Sequence, residues 1–256
     1  MHNKPQSKFT IAPVFSLALT LFSLGFLQSC NPCAIQKGPK GNHVQYEIKK
    51  TGCFGSCPVY NMYVFADGDA FLYAKNFVDD PGMFTRKLTE SEYKKLCKAF
   101  KNSHFSKLED SYGSNVADLP SIYITMHYSK GSKTILAKDG VPQSLITISS
   151  IFEKFRTSGG WKKIFVDPAK ERFDTRYLVV NVAKEADLDL IEQNYTKYNL
   201  KRTDRLAPKL MYWEMQFAKD SIDPELMFFL LRKDPLVREV TFIRANGREP
   251  KAGGKS

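Results

Sequence analysis

Tryptophan is scarce in this chain, two residues in 256, and no tract repeats itself. There is no Gly-X-Y period and no heptad run, which excludes collagen and coiled coil. No internal repeat of about 20–50 residues recurs, which excludes solenoids and propellers. Gly-x-Ser-x-Gly, His-Glu-x-x-His and a Gly-rich phosphate loop are all missing. His43, His104 and His127 stand without metal-ligand spacing among themselves. The many Asp residues are scattered over turns, where local hydrogen bonding is their usual role. No Arg-rich run interleaves with aromatics, so nucleic acid is not an expected partner. These absences leave no catalytic residue to name and no cofactor to expect, and they argue against an enzyme. What is plentiful is packing material. The chain is 43% apolar with 19 Phe and 12 Tyr, enough to exclude wholesale disorder and to fill one large or two small cores.

The first 29 residues read as a targeting segment. Met1 to Lys8 carries His2, Lys4 and Lys8 and no acid, and Phe9 to Ser29 carries no charge at all. A basic start before an apolar stretch is the pattern of a secretory signal. A spanning anchor is the competing reading, because 21 uncharged residues reach across a bilayer. Leu27-Gln28-Ser29-Cys30 resembles a bacterial lipobox: an aliphatic residue, then a small one just before the cleavage site, then Cys. The resemblance implies lipidation of the Cys30 sulfur and a membrane anchor made of acyl chains. Residues 30–43, rich in Pro, Gly and polar side chains, read as a flexible tether. The formal net charge is +11, and loss of the signal removes only Lys4 and Lys8, so the mature chain stays basic. In a cell envelope that charge suits anionic headgroups, an anionic polysaccharide or an acidic protein.

Five cysteines are present. Cys97 falls on the stripe Tyr93, Leu96, Phe100 of a helix that Thr89 and Glu92 open as a capping box, so it reads as a small buried hydrophobe. Cys33 on the tether is left over, free or intermolecular. Cys53-Phe-Gly-Ser-Cys57-Pro58 reads first as a structural disulfide around a tight turn, with Gly55 free to take positive φ. The other reading is thiol chemistry. Cys-x-x-x-Cys-Pro resembles the copper-handling motif of the Sco family, which implies Cu(I) or redox work by Cys53 and Cys57 with a distant His ligand. Only His127 is placed for that part. The context is strand, turn, strand, where that family has a helix.

Residues 44–161 read as βββαββα, an antiparallel sheet with helices on one face, hence α+β. The block Gly52-Cys-Phe-Gly-Ser-Cys-Pro-Val-Tyr60, Asp67-Gly68 in the next hairpin, and Tyr112 followed by Asp118-Leu-Pro120 resemble an uncharacterised family of envelope lipoprotein domains of the Bacteroidetes type. The resemblance implies envelope location and this fold, and no activity. After a basic connector, residues 174–246 read as βαββαβ, the ferredoxin-like order, with Asp223 as cap and Pro224 opening the second helix. The phrase Leu230-Leu-Arg-Lys-Asp-Pro-Leu-Val-Arg-Glu-Val240 resembles the propeptide domain of subtilisin-type proteases, which implies protease inhibition. Residues 247–256 read as a disordered tail. The expected whole is a non-enzymatic envelope lipoprotein that binds a protein or an anionic polysaccharide. Copper or redox work by Cys53 and Cys57, and protease inhibition, stand as alternatives.

Overall fold

The computed structural model describes residues 33–113, 118–207 and 209–245. The signal 1–29, Cys30 and the tail 247–256 lie outside the described residues. Strand β1 (Val44–Lys50) is two-faced. Tyr46 and Ile48 are buried under helices, and Gln45, Glu47 and Lys49 point to the opposite face, the period of two that a pleated strand imposes. β2 (Val59–Phe65), β3 (Asp69–Asn76) and β4 (Gly82–Lys87) continue as a meander. After helix α1 (Glu90–Asn102) come β5 (Ser111–Tyr112), β6 (Ile122–Tyr128) and β7 (Gly131–Ala137), then α2 (Gln143–Thr157) and β8 (Lys162–Phe165). They form one eight-stranded sheet in the order β5-β7-β6-β1-β2-β3-β4-β8. It is mixed, because β5 runs parallel to β7.

Helices α1 and α2 cover one face. Both bonds of the Thr89–Glu92 capping box form, and Tyr93, Leu96, Cys97 and Phe100 are buried on the inner stripe. Leu145, Ile148, Phe152 and Phe155 do the same on α2. The expected βββαββα lacks β4, β5 and β8. The last of these pairs Phe165, Lys163 and Lys162 with β4, so the sheet runs past the boundary read at residue 161.

The C-terminal part carries β9 (Phe173–Val182), α3 (Ala186–Asn194), a short 3₁₀ turn (Thr196–Tyr198), β10 (Lys201–Ala207), β11 (Tyr212–Gln216), α4 (Pro224–Lys233) and β12 (Val237–Arg244). The antiparallel order β10-β11-β9-β12 is the ferredoxin-like one the sequence suggested. Leu178, Val180, Met215, Val240 and Phe242 face inward, and Leu188, Ile191 and most of α4 fill the same core. Helix α4 is apolar nearly all round, with Leu226, Met227, Phe228, Phe229 and Leu231 buried, as a helix between two sheets must be. Phe229 stacks on Phe71 of β3 at 4.3 Å, and Phe228 packs on Phe165 of β8 and Phe242 of β12, each at 5.3 Å. One hydrophobic cluster therefore holds residues of both sheets.

From Cys33 on, the segment read as a tether is held to the domain. Cys33 is disulfide-bonded to Cys97. Gln36 N–H donates to the Ala66 carbonyl at 2.9 Å, Ala66 N–H to His43 at 3.0 Å and Asp67 N–H to Gly41 at 3.2 Å. Ile35 lies on Gly68, whose φ of +84° and close neighbour suit only glycine. Cys33 is thus not left over, and Cys97 is half a cystine instead of a plain hydrophobe. The two are 64 residues apart, and no local pattern announces such a pairing.

Candidate functional site

The second face of the large sheet is graded. Over β2, β3 and β4 it presents Tyr63, Phe65, Phe71, Tyr73 and Met83, and these join the cluster shared with α4. Over β1, β6 and β7 it turns polar. Lys49 stands beside Tyr123, Glu47 beside Thr125, Thr125 beside Thr134, and His127 beside Ser132. Helix α4 seals the apolar half, and a cleft opens over the polar half. Its far wall is Asn194 to Tyr198, Ser221 to Asp223 and Leu226. The cleft has two lobes of about 470 and 1150 Å³, which share His127, Ser132, Tyr198 and Leu226 and so form one trough.

A chain of charges runs along its floor. Glu47 is only 6% exposed. Its carboxylate meets Lys49 Nζ at 2.9 Å and His127 Nε2 at 3.3 Å. Lys49 also reaches Asp223 at 2.5 Å. Burial pushes the Glu47 carboxyl up, but His127 and Lys49 outweigh it and hold it below the usual carboxylate range. Burial pulls Lys49 down, and Glu47 and Asp223 reverse that and hold its ammonium protonated well above the ordinary lysine range. Under α4 the network continues. Tyr63 donates to Glu225 at 3.2 Å and to Asp223 at 3.3 Å, and Asn61 also donates to Glu225. Burial, then Glu225 and Asp223, raise the Tyr63 phenol far above its usual value, so it stays a donor. Asp223 occupies the N-cap of α4 as expected, yet its side chain makes no cap bond and serves Lys49 and Tyr63.

Gln45 Nε2 donates to the His127 carbonyl at 2.7 Å, and the Thr125 and Thr134 hydroxyls join at 2.9 Å. The floor is therefore a fixed array of side chains on paired strands, which is the rigid support a binding site needs. Lys233 makes a separate ion cluster with Asp67 and Asp69 at the C-terminal end of α4. That cluster ties the β2–β3 turn to the helix and opens onto no part of the trough's lining.

The residues singled out from sequence fall elsewhere, with one exception. Cys53 and Cys57 are bonded to each other. Gly55 takes φ +148° within their loop, and Phe54 stands 91% exposed at its tip. The loop adjoins the Ser121 end of β6, since Thr51 N–H donates to the Ser121 carbonyl at 3.0 Å. His127 lies six residues along the strand, roughly 20 Å away at the strand rise, and faces Glu47. The trio Cys53, Cys57 and His127 is therefore not assembled. Among the described residues no three His, Cys, Asp or Glu side chains gather to hold a metal. Cys30 lies outside the described residues. His127 is the exception, because it lines the cleft, though as the neighbour of Glu47. Glu47 and Lys49 went unnoticed in the sequence, and Asp223 reads there only as a helix cap. The alternation in β1 was a signal for the first two.

Two disulfides point to an oxidising, extracytoplasmic compartment. No helix among the described residues is long and apolar enough to cross a membrane. Residues 44–156 match a family described as a domain of unknown function, DUF6438. The match spans β1 to α2 and stops short of β8 and the four-stranded sheet. Comparison with curated proteins and with solved structures finds no match.

Proposed function

We propose that the chain is an envelope lipoprotein, anchored through lipid on Cys30, that binds a ligand in the trough between the polar sheet face and the α3–α4 layer. The observation that carries this reading is the larger lobe. At about 1150 Å³ it has room for a ligand, set beside the roughly 300–1000 Å³ of most pockets, and it joins, at His127 and Ser132, the smaller lobe that carries the fixed Glu47–Lys49–Asp223 floor. The lipobox-like Leu27-Gln28-Ser29-Cys30 and the two disulfides support the location. Binding is favoured over turnover because the charged floor groups are engaged with one another. Ser132 stands opposite His127, yet no hydrogen bond joins its hydroxyl to the imidazole, and the Glu47 beside that ring is shared with Lys49.

Three measurements test it. Cys30→Ala should move the chain from the membrane to the soluble fraction, and unchanged fractionation would remove the anchor from the proposal. Native mass spectrometry of the full chain, purified from its own membranes, should show a bound mass that Ser132→Trp, which fills the trough from an exposed position, abolishes. The same mass in both proteins would place the ligand elsewhere. Turnover of p-nitrophenyl acetate that disappears in Ser132→Ala would overturn the non-enzymatic reading.

A further inference from the structure

We infer that the ligand of the trough is an uncharged oligosaccharide. The inference rests on the binding reading above and narrows it to one chemical class. Charge excludes most alternatives. Glu47, Asp223 and Asp234 line the trough against Lys49 and Lys197. Lys49 is already held between Glu47 and Asp223, and Lys197 lies over the Tyr198 ring at 4.5 Å. An anionic chain would meet three carboxylates against Lys49, which two of them already hold, and the exposed Lys197. The basic net charge of the protein therefore resides outside the site. A cationic ligand gains little, because Lys49 bridges two of the three carboxylates and, with Lys197, leaves the lining a net charge of only about −1.

The remaining polar groups both donate and accept. Ser132 and Thr134 carry hydroxyls at the rim, Gln45 and Asn42 carry amides, and Tyr123 and Tyr128 carry phenols. A sugar hydroxyl also donates and accepts, so each can be matched in both senses, which a carboxylate or an ammonium cannot. Tyr123, 37% exposed beside Lys49, offers a flat amphipathic face held on β6. Rings of this kind give contact area at low entropic cost, and the C–H face of a pyranose is the apolar surface that fits them. A peptide is a poorer match. The floor is the face of a sheet whose backbone is already paired between β1, β6 and β7, so an extended peptide finds no ladder to join there. Two adjoining lobes suit several sugar units better than one.

Calorimetric titration of the full chain, in a detergent without a sugar headgroup, tests the inference. The probes are cellohexaose, maltohexaose, mannohexaose and xylohexaose, with hexagalacturonate and a hexapeptide library beside them. At least one neutral hexasaccharide should bind. Tyr123→Ala should weaken it by roughly tenfold, as expected for loss of a half-buried ring contact. Ser132→Trp should abolish binding. Phe54→Ser, outside the trough, should leave it unchanged, and thermal melts should show all three variants folded. Hexagalacturonate or peptide binding that Ser132→Trp abolishes, with no neutral sugar bound, would overturn the sugar inference and leave the binding reading standing. No binding by any probe would count against both. Sugar binding indifferent to Tyr123→Ala and Ser132→Trp would place the sugar site away from the trough and overturn the inference.

Discussion

Glu47 is buried and ionised, and its charge is sustained only by what it touches. Its carboxyl lies below the usual range when folded and near about 4.3 when unfolded. A depressed folded value contributes stability that is complete above the unfolded value and is lost as pH falls through the folded one. Glu47→Gln removes that contribution, and should cost about 1–3 kcal/mol at pH 7. The gap between wild type and variant should close below about pH 4.3. Glu92, Glu153 and Asp69 also sit low, but they are common to both proteins and drop out of the difference. Urea midpoints at pH 7 and pH 3 measure it, and a gap equal at both values would show that Glu47 is not the titrating group. Part of this residue-scale picture was legible. Tyr46 and Ile48 alternate with Gln45, Glu47 and Lys49, which marks one apolar and one polar face on β1. The partner was not, because Asp223 reads as a helix cap. The half-buried ammonium of Lys49 claims that carboxylate, and ion pairing there competes with a local bond to a backbone N–H. Nothing in a linear pattern reports the competition.

Among the elements, the two disulfides do different work. The Cys33–Cys97 bridge closes a separation of 64 residues and the Cys53–Cys57 bridge a separation of 4. Loop-closure entropy assigns about 4 kcal/mol to the first and about 2 to the second. The Cys33→Ala/Cys97→Ala pair should therefore lower the melting temperature roughly twice as far as Cys53→Ala/Cys57→Ala. Calorimetry of both double variants decides it, and equal losses would show that the short bridge does more than shape its loop. The long bridge also explains why 33–43 behaves as part of the domain: Cys33 clamps that segment onto α1, and backbone bonds to Ala66 and Asp67 align it with the β2–β3 turn. The helices were readable element by element, since stripes and the Thr89–Glu92 box are local signals. The strands β4 and β8 were less so. β8 is four residues long and begins Lys-Lys, and its strand character comes from pairing with β4 across about 80 residues of chain.

At the scale of the molecule the decisive element is α4, because both sheets depend on it. Tyr63, Phe65, Phe71, Tyr73 and Met83 are buried only while α4 and its sheet stay in place. The matched family segment, 44–156, contains all five, so in this chain it cannot expose its second face without loss. The two tryptophans fall one on each side and make the dependence measurable. Trp161 packs against the α1–α2 core and donates to the Phe155 carbonyl at 2.9 Å, and Trp213 lies on β11 with Arg205 over its ring at 5.3 Å. Trp161→Phe leaves Trp213 as the only tryptophan reporter, and Trp213→Phe leaves Trp161. If the shared cluster makes one cooperative unit, the two reporters should give the same urea midpoint as far-ultraviolet circular dichroism measured on the same variant. Phe229→Ala, which removes the ring stacked on Phe71, should lower stability by about 3–5 kcal/mol and move both reporters together. A Trp213 transition that falls alone, with Trp161 unmoved, would mean that the four-stranded sheet opens by itself. The trough would then lose its far wall before the rest of the fold gives way.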